Sequence, residues 1–299
     1  MPARLEHLAR RYIPGRGPVN IDRLGSGLVN QSYRVSREGR FFSMRLTAPR
    51  AGELGLDREW ECRVLRRAAA AGLAPAVERC EPRAGILVSH WAEGSAWSVE
   101  QAAAPENLET VALLARRVHA LALLEQPRIV SAAQWIAFYR RSFERPRAAL
   151  DEAAKFLVDA LSEEPPPAVT LCHSDLHVQN LIISPQGAPL ILDWEYAHVS
   201  DPLWDLAGWA CNGDLAQGRR DLLLRLYLER EPTCAEALRL DRLAWLYDYV
   251  CLLWSDLFLS SRSNPKAASD AISMRAERIA ERLADRLSAT GRAGQVPAH

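Results

Sequence analysis

The stretch LCHSDLHVQN at residues 171–180, followed by LILDWEYAHVSDPLWDLA at 190–207, constrains this chain more than any other feature. It carries His173, Asp175 and Asn180, then Asp193 and Glu195 thirteen and fifteen residues beyond Asn180. Val169 to Cys172 and Leu190 to Leu192 are short apolar runs that read as strands, and they would hold two polar clusters at neighbouring strand ends. Phosphoryl transfer asks for little more: one carboxylate to orient an attacking hydroxyl, and oxygen ligands that hold magnesium on nucleotide phosphates. Asp175 suits the first role. Asn180 and Asp193 suit the second, because Mg²⁺ prefers the oxygens of carboxylates and amides. A single Asp or His near a turn is usually a cap or turn former. The spaced set His-x-Asp-x4-Asn, an apolar strand, then Asp-Trp-Glu is far more specific.

At these residues the chain resembles the aminoglycoside phosphotransferase and choline kinase superfamily. DWEYAHVSDPLWDLA is most similar to its bacterial choline kinase-like branch, with thiamine kinase-like proteins next. The resemblance implies an α+β, bilobal protein-kinase-like fold that phosphorylates small alcohols with ATP and Mg²⁺. It departs from the protein-kinase pattern. Ser174 replaces the Arg of His-Arg-Asp, Asp193-Trp194-Glu195 replaces Asp-Phe-Gly, and no Ala-Pro-Glu follows, which argues against a protein substrate. It further implies that Asp175 acts on the acceptor hydroxyl, with Asn180 and His173 completing the catalytic loop. Asn180 and Asp193 would hold metal, Glu195 would serve a second metal or a water, and Asp205 would brace the loop. His177 is as readily a surface or core residue as a substrate contact.

The expected organisation is a small strand-rich N-lobe with one helix, residues 1–92, and a larger, mainly helical C-lobe, residues 93–299. Val19 to Leu24 and Ser32 to Ser36 read as strands flanking GSGLVN, where Gly25, Gly27 and Asn30 would let backbone N–H groups approach nucleotide phosphates. Arg40 to Thr47 alternates, with Phe42, Met44 and Leu46 on one face and Arg45 on the other. Arg45 stands where kinases place a phosphate-binding Lys, and Arg can grip phosphate bidentately. The helix from about Leu56 to Ala71 would supply its acidic partner, Glu61 or the competing Glu59. Gly85 to Trp91 reads as a further strand, and AEGSAWS as the link between lobes.

Composition narrows the partners. The 299 residues are 48% hydrophobic and 25% charged, with zero formal net charge, so nothing points to nucleic acid or an anionic membrane surface. The start, MPARLEHLARRYIP, lacks the apolar core of a signal peptide, and the six cysteines form no CxxC pair, so a cytoplasmic protein with free thiols is expected. The C-terminal half is rich in aromatics. Trp209, Trp245, Tyr249 and Trp254 are candidates for the acceptor site, with Asp248 and Asp256 interleaved, because cations bind aromatic faces assisted by carboxylates. The expected acceptor is a small cationic alcohol: choline or ethanolamine first, thiamine second. An aminoglycoside or sugar kinase of the same fold, a catalytically inactive kinase-fold binding module and a helical scaffold are the alternatives. The oligomeric state is not readable.

Overall fold

A computed structural model describes residues 2–25, 30–48, 50–141, 147–165, 167–261 and 264–293. Helix α1 (Pro2–Tyr12) precedes strands β1 (Asn20–Arg23), β2 (Asn30–Arg37) and β3 (Arg40–Thr47). Helix α2 (Arg58–Ala70) follows, then β4 (Val77–Glu81) and β5 (Ile86–His90). The five strands form one antiparallel sheet in the order β1-β2-β3-β5-β4. Period-two patterning sets its register. Tyr33 lies opposite Met44, Val35 opposite Phe42, and Met44 opposite Val88. Their side chains close on Ala9 and Ile13 as one apolar cluster. Two elements of this sheet half were not anticipated. In α1, Leu5, Leu8, Ala9 and Tyr12 recur at helical spacing within an arginine-rich segment and pack on or into that cluster. In β4, VERCE carries charges suited to its place at the sheet edge.

Helix α2 starts where Asp57 accepts the N–H of Trp60 at 2.9 Å, and Gly72, at φ +67°, ends it. Its buried face is Trp60, Glu61, Cys62, Val64, Leu65 and Ala68. Trp60 Nε1 donates to Ala197 O at 2.7 Å, which pins α2 to the segment after Asp193. Cys62 on α2 and Cys80 on β4 are disulfide-bonded, against the expectation of six free thiols. Their separation of 18 residues carries no pairing motif; the packing of α2 on β4 brings them together. Cys172 and Cys211 are buried free thiols, Cys251 is half-buried and Cys234 exposed.

The rest of the chain is mainly helical. It runs through α3 (Val99–Ala102), α4 (Pro105–His119), α5 (Ala132–Arg140) and α6 (Ala148–Glu163), then the short strands β6 (Thr170–Cys172), β7 (Leu181–Ile183), β8 (Pro189–Ile191) and β9 (His198–Ser200). Helices α7 (Leu203–Asn212), α8 (Gln217–Leu228), α9 (Cys234–Leu259) and α10 (Lys266–Ala293) complete it. β6 pairs with β9 and β7 with β8, both antiparallel. Helix α9 is apolar on most of its circumference, so it must be buried all round, and α5, α6, α7 and α10 surround it. Among the described residues, no helix is long and apolar enough to cross a membrane.

The expected link AEGSAWS crosses from β5 to α3 over β7. Ser95 and Ile183 exchange backbone hydrogen bonds of 3.1 and 2.9 Å. Gly94 has φ +147°, and a Cβ there would collide with Ile183 O and stand 2.8 Å from Ile182 Cγ2. Replacing Gly94 with Ala should therefore cost about 2 kcal/mol or more, from backbone strain together with displacement of the crossing strand. Thermal or denaturant unfolding checks this. An unchanged midpoint would mean that the crossing can shift freely.

Candidate active site

Strand β6 delivers His173, Ser174 and Asp175 to the start of a loop, and buried Asp205 in the first turn of α7 holds it. Asp205 accepts the backbone N–H of His173 at 2.9 Å and of Ser174 at 2.6 Å. His119 of α4 adds an Nε2 contact to Asp205 at 3.1 Å and is itself 2.9 Å from the Tyr227 hydroxyl. Burial would push the Asp205 carboxyl up, but His119 and His173 outweigh it and hold it below its ordinary value. These contacts fix Ser174 in the left-handed region, at φ +69°. His173 Nε2 lies 2.9 Å from Leu192 O, and its Nδ1 accepts the N–H of Asp175 at 3.3 Å. Burial lowers the pKa of His173, which suits the neutral ring that this pairing requires. His173 thus ties the loop to the strand end that carries Asp193.

Asp175 is partly open to a cavity. Asn180 Nδ2 donates to its backbone carbonyl at 2.9 Å and to its Oδ2 at 3.1 Å, and His177 Nε2 lies 3.4 Å from the same oxygen. Burial alone would raise the Asp175 carboxyl. His177, His173 and Arg275 outweigh it and hold it below the usual carboxylate range, so it is ionised at neutral pH. The Asn180 amide spends its N–H groups on the loop, leaving Oδ1 as an oxygen donor.

A buried ionic network stands next to this loop. Arg45 on β3 contacts Glu61 on α2 at 2.5 Å, Asp193 at 2.9 Å and Glu195 at 3.6 Å. Arg58, one turn before Glu61 on α2, contacts Glu61 at 2.7 Å, Glu195 at 2.8 Å and Asn30 Oδ1 at 2.9 Å. Asn30 Nδ2 in turn donates to Glu195 at 2.7 Å. Arg45, on the polar face of β3, is therefore turned to α2 rather than to solvent, and Glu61, not Glu59, is its partner. Glu59 is exposed, 3.9 Å from Arg83. Glu195 has one oxygen committed to Arg58 and Asn30, which makes it a link in the network before it is a ligand. Asp193 sits at φ +54° and is the most open of the three acids. Burial and Glu195 push its carboxyl well up, while Arg45 pulls it down. The carboxylates of Glu61, Asp193 and Glu195 gather within 4.8 Å of one another. Asp193 together with Asn180 Oδ1 is a hard-oxygen donor set that fits Mg²⁺.

The cavity in front of these residues has a volume of about 330 Å³. Asp175, Asn180, Asp193 and Glu195 line one part of it; Trp135, Tyr139, Tyr196 and Trp254 line another. Tyr196 donates no ring alone: its hydroxyl accepts Trp254 Nε1 at 2.7 Å. Trp254 is thus the one ring of the expected four that reaches the cavity. Trp209, Trp245 and Tyr249 do not line it and are buried in the helical core. Helix phase explains the difference. The face of α9 on the cavity is Tyr247, Val250, Cys251 and Trp254, and Trp245 is about 200° around the helix from Tyr247. The Tyr249 hydroxyl is taken by Asp151 and Arg140. Asp248 and Asp256 are also spent, the first on Arg282 at 2.6 Å and the second on Arg147 at 3.0 Å.

Gly25 follows β1, next to Leu24, whose N–H meets Ser32 O at 3.0 Å; Gly27 lies outside the described residues. Sequence reasoning missed Arg58, His119, Trp135 and Tyr139. Arg58 precedes Glu61 by three residues, which is a readable helical pair. Trp135 and Tyr139 are an i, i+4 pair stacked at 5.5 Å on α5, far from the motif in sequence.

A model of the phosphotransferase enzyme family matches residues 20–246. A search of the curated proteins found no match. Among solved structures, the chain is similar to a choline/ethanolamine kinase family protein from Mesorhizobium loti, with a TM-score of 0.74 and 24% identity over 97% of this chain and 99% of that one. It is similar to the choline kinase LicA from Streptococcus pneumoniae, with a TM-score of 0.79 and 20% identity over 95% of this chain and 99% of that one. It also resembles the spectinomycin phosphotransferase APH(9)-Ia, solved with ADP and spectinomycin, with a TM-score of 0.61 and 14% identity over 92% of this chain and 93% of that one. These likenesses show a shared kinase-like fold, an antiparallel sheet followed by a larger helical part. The family match takes in β1 through the first half of α9, and this chain belongs to the phosphotransferase enzyme family.

Proposed function

We propose that this protein transfers the γ-phosphoryl group of ATP to the hydroxyl of a small cationic alcohol, with choline or ethanolamine ahead of thiamine. One observation carries the reading: a single cavity collects Asp175, the Asn180–Asp193 oxygens and the rings of Trp135, Tyr139, Tyr196 and Trp254. Ionised Asp175 orients the acceptor hydroxyl and takes its proton as the new O–P bond forms and the β–γ bridge bond breaks. Arg45 supplies fixed positive charge for phosphate oxygens, held in place by Glu61. Asn180 and Asp193 would hold Mg²⁺, which supplies neutralisation of phosphate charge. The rings offer π-faces to an ammonium group, and a desolvated cation–π contact is worth about 2 kcal/mol. The division into a nucleotide-binding N-lobe to residue 92 and an acceptor-binding C-lobe from 93 follows from the same reading, with Gly94 at the crossing. The nucleotide complexes of LicA with AMP and of the spectinomycin enzyme with ADP are in keeping with it.

An ADP-release screen of choline, ethanolamine, thiamine, a sugar and an aminoglycoside tests the acceptor class. The reading requires a cationic alcohol to lead; a neutral sugar in first place would refute it. Asp175→Asn should lower kcat at least about a hundredfold while ATP still binds, as expected for loss of a general base. Near-wild-type turnover in that variant would remove Asp175 from the chemistry. Trp254→Leu should raise the KM for the cationic acceptor several-fold and leave the KM for ATP alone. Trp245→Leu, buried behind the cavity wall, should lower the melting temperature without that effect on acceptor KM. The reverse pattern would return the acceptor face to Trp245.

A further inference from the structure

Arg275 of α10 also lines the acceptor cavity, and it shares a wall with a second cavity of about 710 Å³ bounded by α10. Its Nη2 lies 3.0 Å from Asn212 Oδ1 and 3.9 Å from Cys251 Sγ. Both contacts are neutral. Asn212 is fixed in that orientation, because its Nδ2 donates to Gly208 O at 2.9 Å and to the Tyr247 hydroxyl at 3.1 Å. Among the described residues, no carboxylate comes within ion-pair distance of Arg275. Further along the same helix, Arg282 and Arg286 both close on Asp248, at 2.6 and 3.3 Å. A half-buried guanidinium without a counter-ion is costly, and such charges are ordinarily paired. Arg275 therefore faces the cavity without a direct ion-pair partner, its charge met only at longer range by Asp175 and Asp248.

We infer that Arg275 is an anion subsite of the acceptor cavity, and that the acceptor is a hydroxylated zwitterion bearing a carboxylate as well as an ammonium group. The inference rests on the cationic-alcohol reading and narrows it. Helix α9 supplies the ruler. Arg275 touches Cys251, and Trp254 stands three residues on, about 4.5 Å along the axis. The guanidinium and the ring of Trp254 line the same cavity. Asp175 lies between the two chemistries in function, taking the proton of the hydroxyl, while the carboxylate takes no part in the bond changes. Arg275 and Asp175 line the same cavity.

Two substrate pairs test it with the whole protein. Serine and ethanolamine share a primary alcohol and an ammonium and differ by a carboxylate; carnitine and choline make a looser comparison for a quaternary ammonium, carnitine being a secondary alcohol that bears a carboxymethyl group. In an ADP-release assay with Mg-ATP, the carboxylated member of at least one pair should have the higher kcat/KM, by about ten- to a hundredfold, the usual range for a hydrogen bond between charged groups. Arg275→Gln should collapse that preference, Arg275→Lys should keep part of it, and the KM for ATP should not move in either. A wild-type preference for ethanolamine and choline overturns the subsite while leaving the cationic-alcohol reading intact. So does a preference that survives in Arg275→Gln, or an effect of that variant on the KM for ATP. If no member of either pair releases ADP, and thiamine does not either, the cationic-alcohol reading fails by itself. The subsite is then decided by thermal shift: stabilisation by serine or carnitine that Arg275→Gln abolishes supports it, and no stabilisation overturns it.

Discussion

The contact between Arg45 and Glu61, extended through Arg58 to Glu195 and Asn30, is the interaction on which the rest of the site depends. It draws together β3, α2, the start of β2 and the segment after β8. Each of these groups is nearly buried, and removing one partner of a buried pair costs about 3–5 kcal/mol because the other charge is stranded. The network therefore sets where Asp193 stands relative to Asp175. Trp60, bonded to Ala197, and Leu73 O, which accepts the Ile191 N–H at 2.8 Å, fasten α2 to the same segment from its two ends. The sheet half and the helical half meet through this helix and through the crossing at Gly94.

The shared placement of the His-x-Asp-x4-Asn residues was legible because they are close in sequence and their spacing is enforced by a strand and a tight turn. His173, Asp175, Asn180 and Asp193 all come to one cavity edge or its support. The brace at Asp205 was legible for the same reason, since α7 begins only a few residues after β9. The choice between Glu59 and Glu61 was not, because it depends on helix phase against a sheet whose position the sequence does not state. Arg58 was passed over because an arginine in an amphipathic helix ordinarily reads as solvated. Three of the four rings expected at the acceptor site, Trp209, Trp245 and Tyr249, lie away from the cavity, and the reason is physical. Counting aromatic residues on α9 finds a helix that is buried all round, and burial on every side hides which side carries a cavity. Tyr247, Cys251 and Trp254 face it; Trp245 and Tyr249 face other helices. Trp135 and Tyr139 reach the cavity from α5, and no local signal connects them to the motif.

The cavity places carboxylate, aromatic and guanidinium groups around a space suited to a small molecule. Its rings are not free-standing: Trp254 leans on Phe258 at 5.3 Å and bonds to Tyr196, whose backbone carbonyl receives His198 Nδ1 at 2.8 Å. Such mutual support limits the rearrangement that a ligand must impose, which favours binding by a preformed site. The disulfide between Cys62 and Cys80 joins to the sheet edge the same helix that carries Arg58 and Glu61.

The central claim is that Arg58 and Glu195 act as one unit, so that neither serves the nucleotide independently. A double-mutant cycle on Mg-ATP affinity, using Arg58→Met, Glu195→Gln and the pair together, tests this most directly by titration calorimetry. If the network positions Asp193, the two single losses should overlap, with a coupling energy of about 1–3 kcal/mol. Losses that simply add, or single variants that bind Mg-ATP as well as the wild type, would contradict the account.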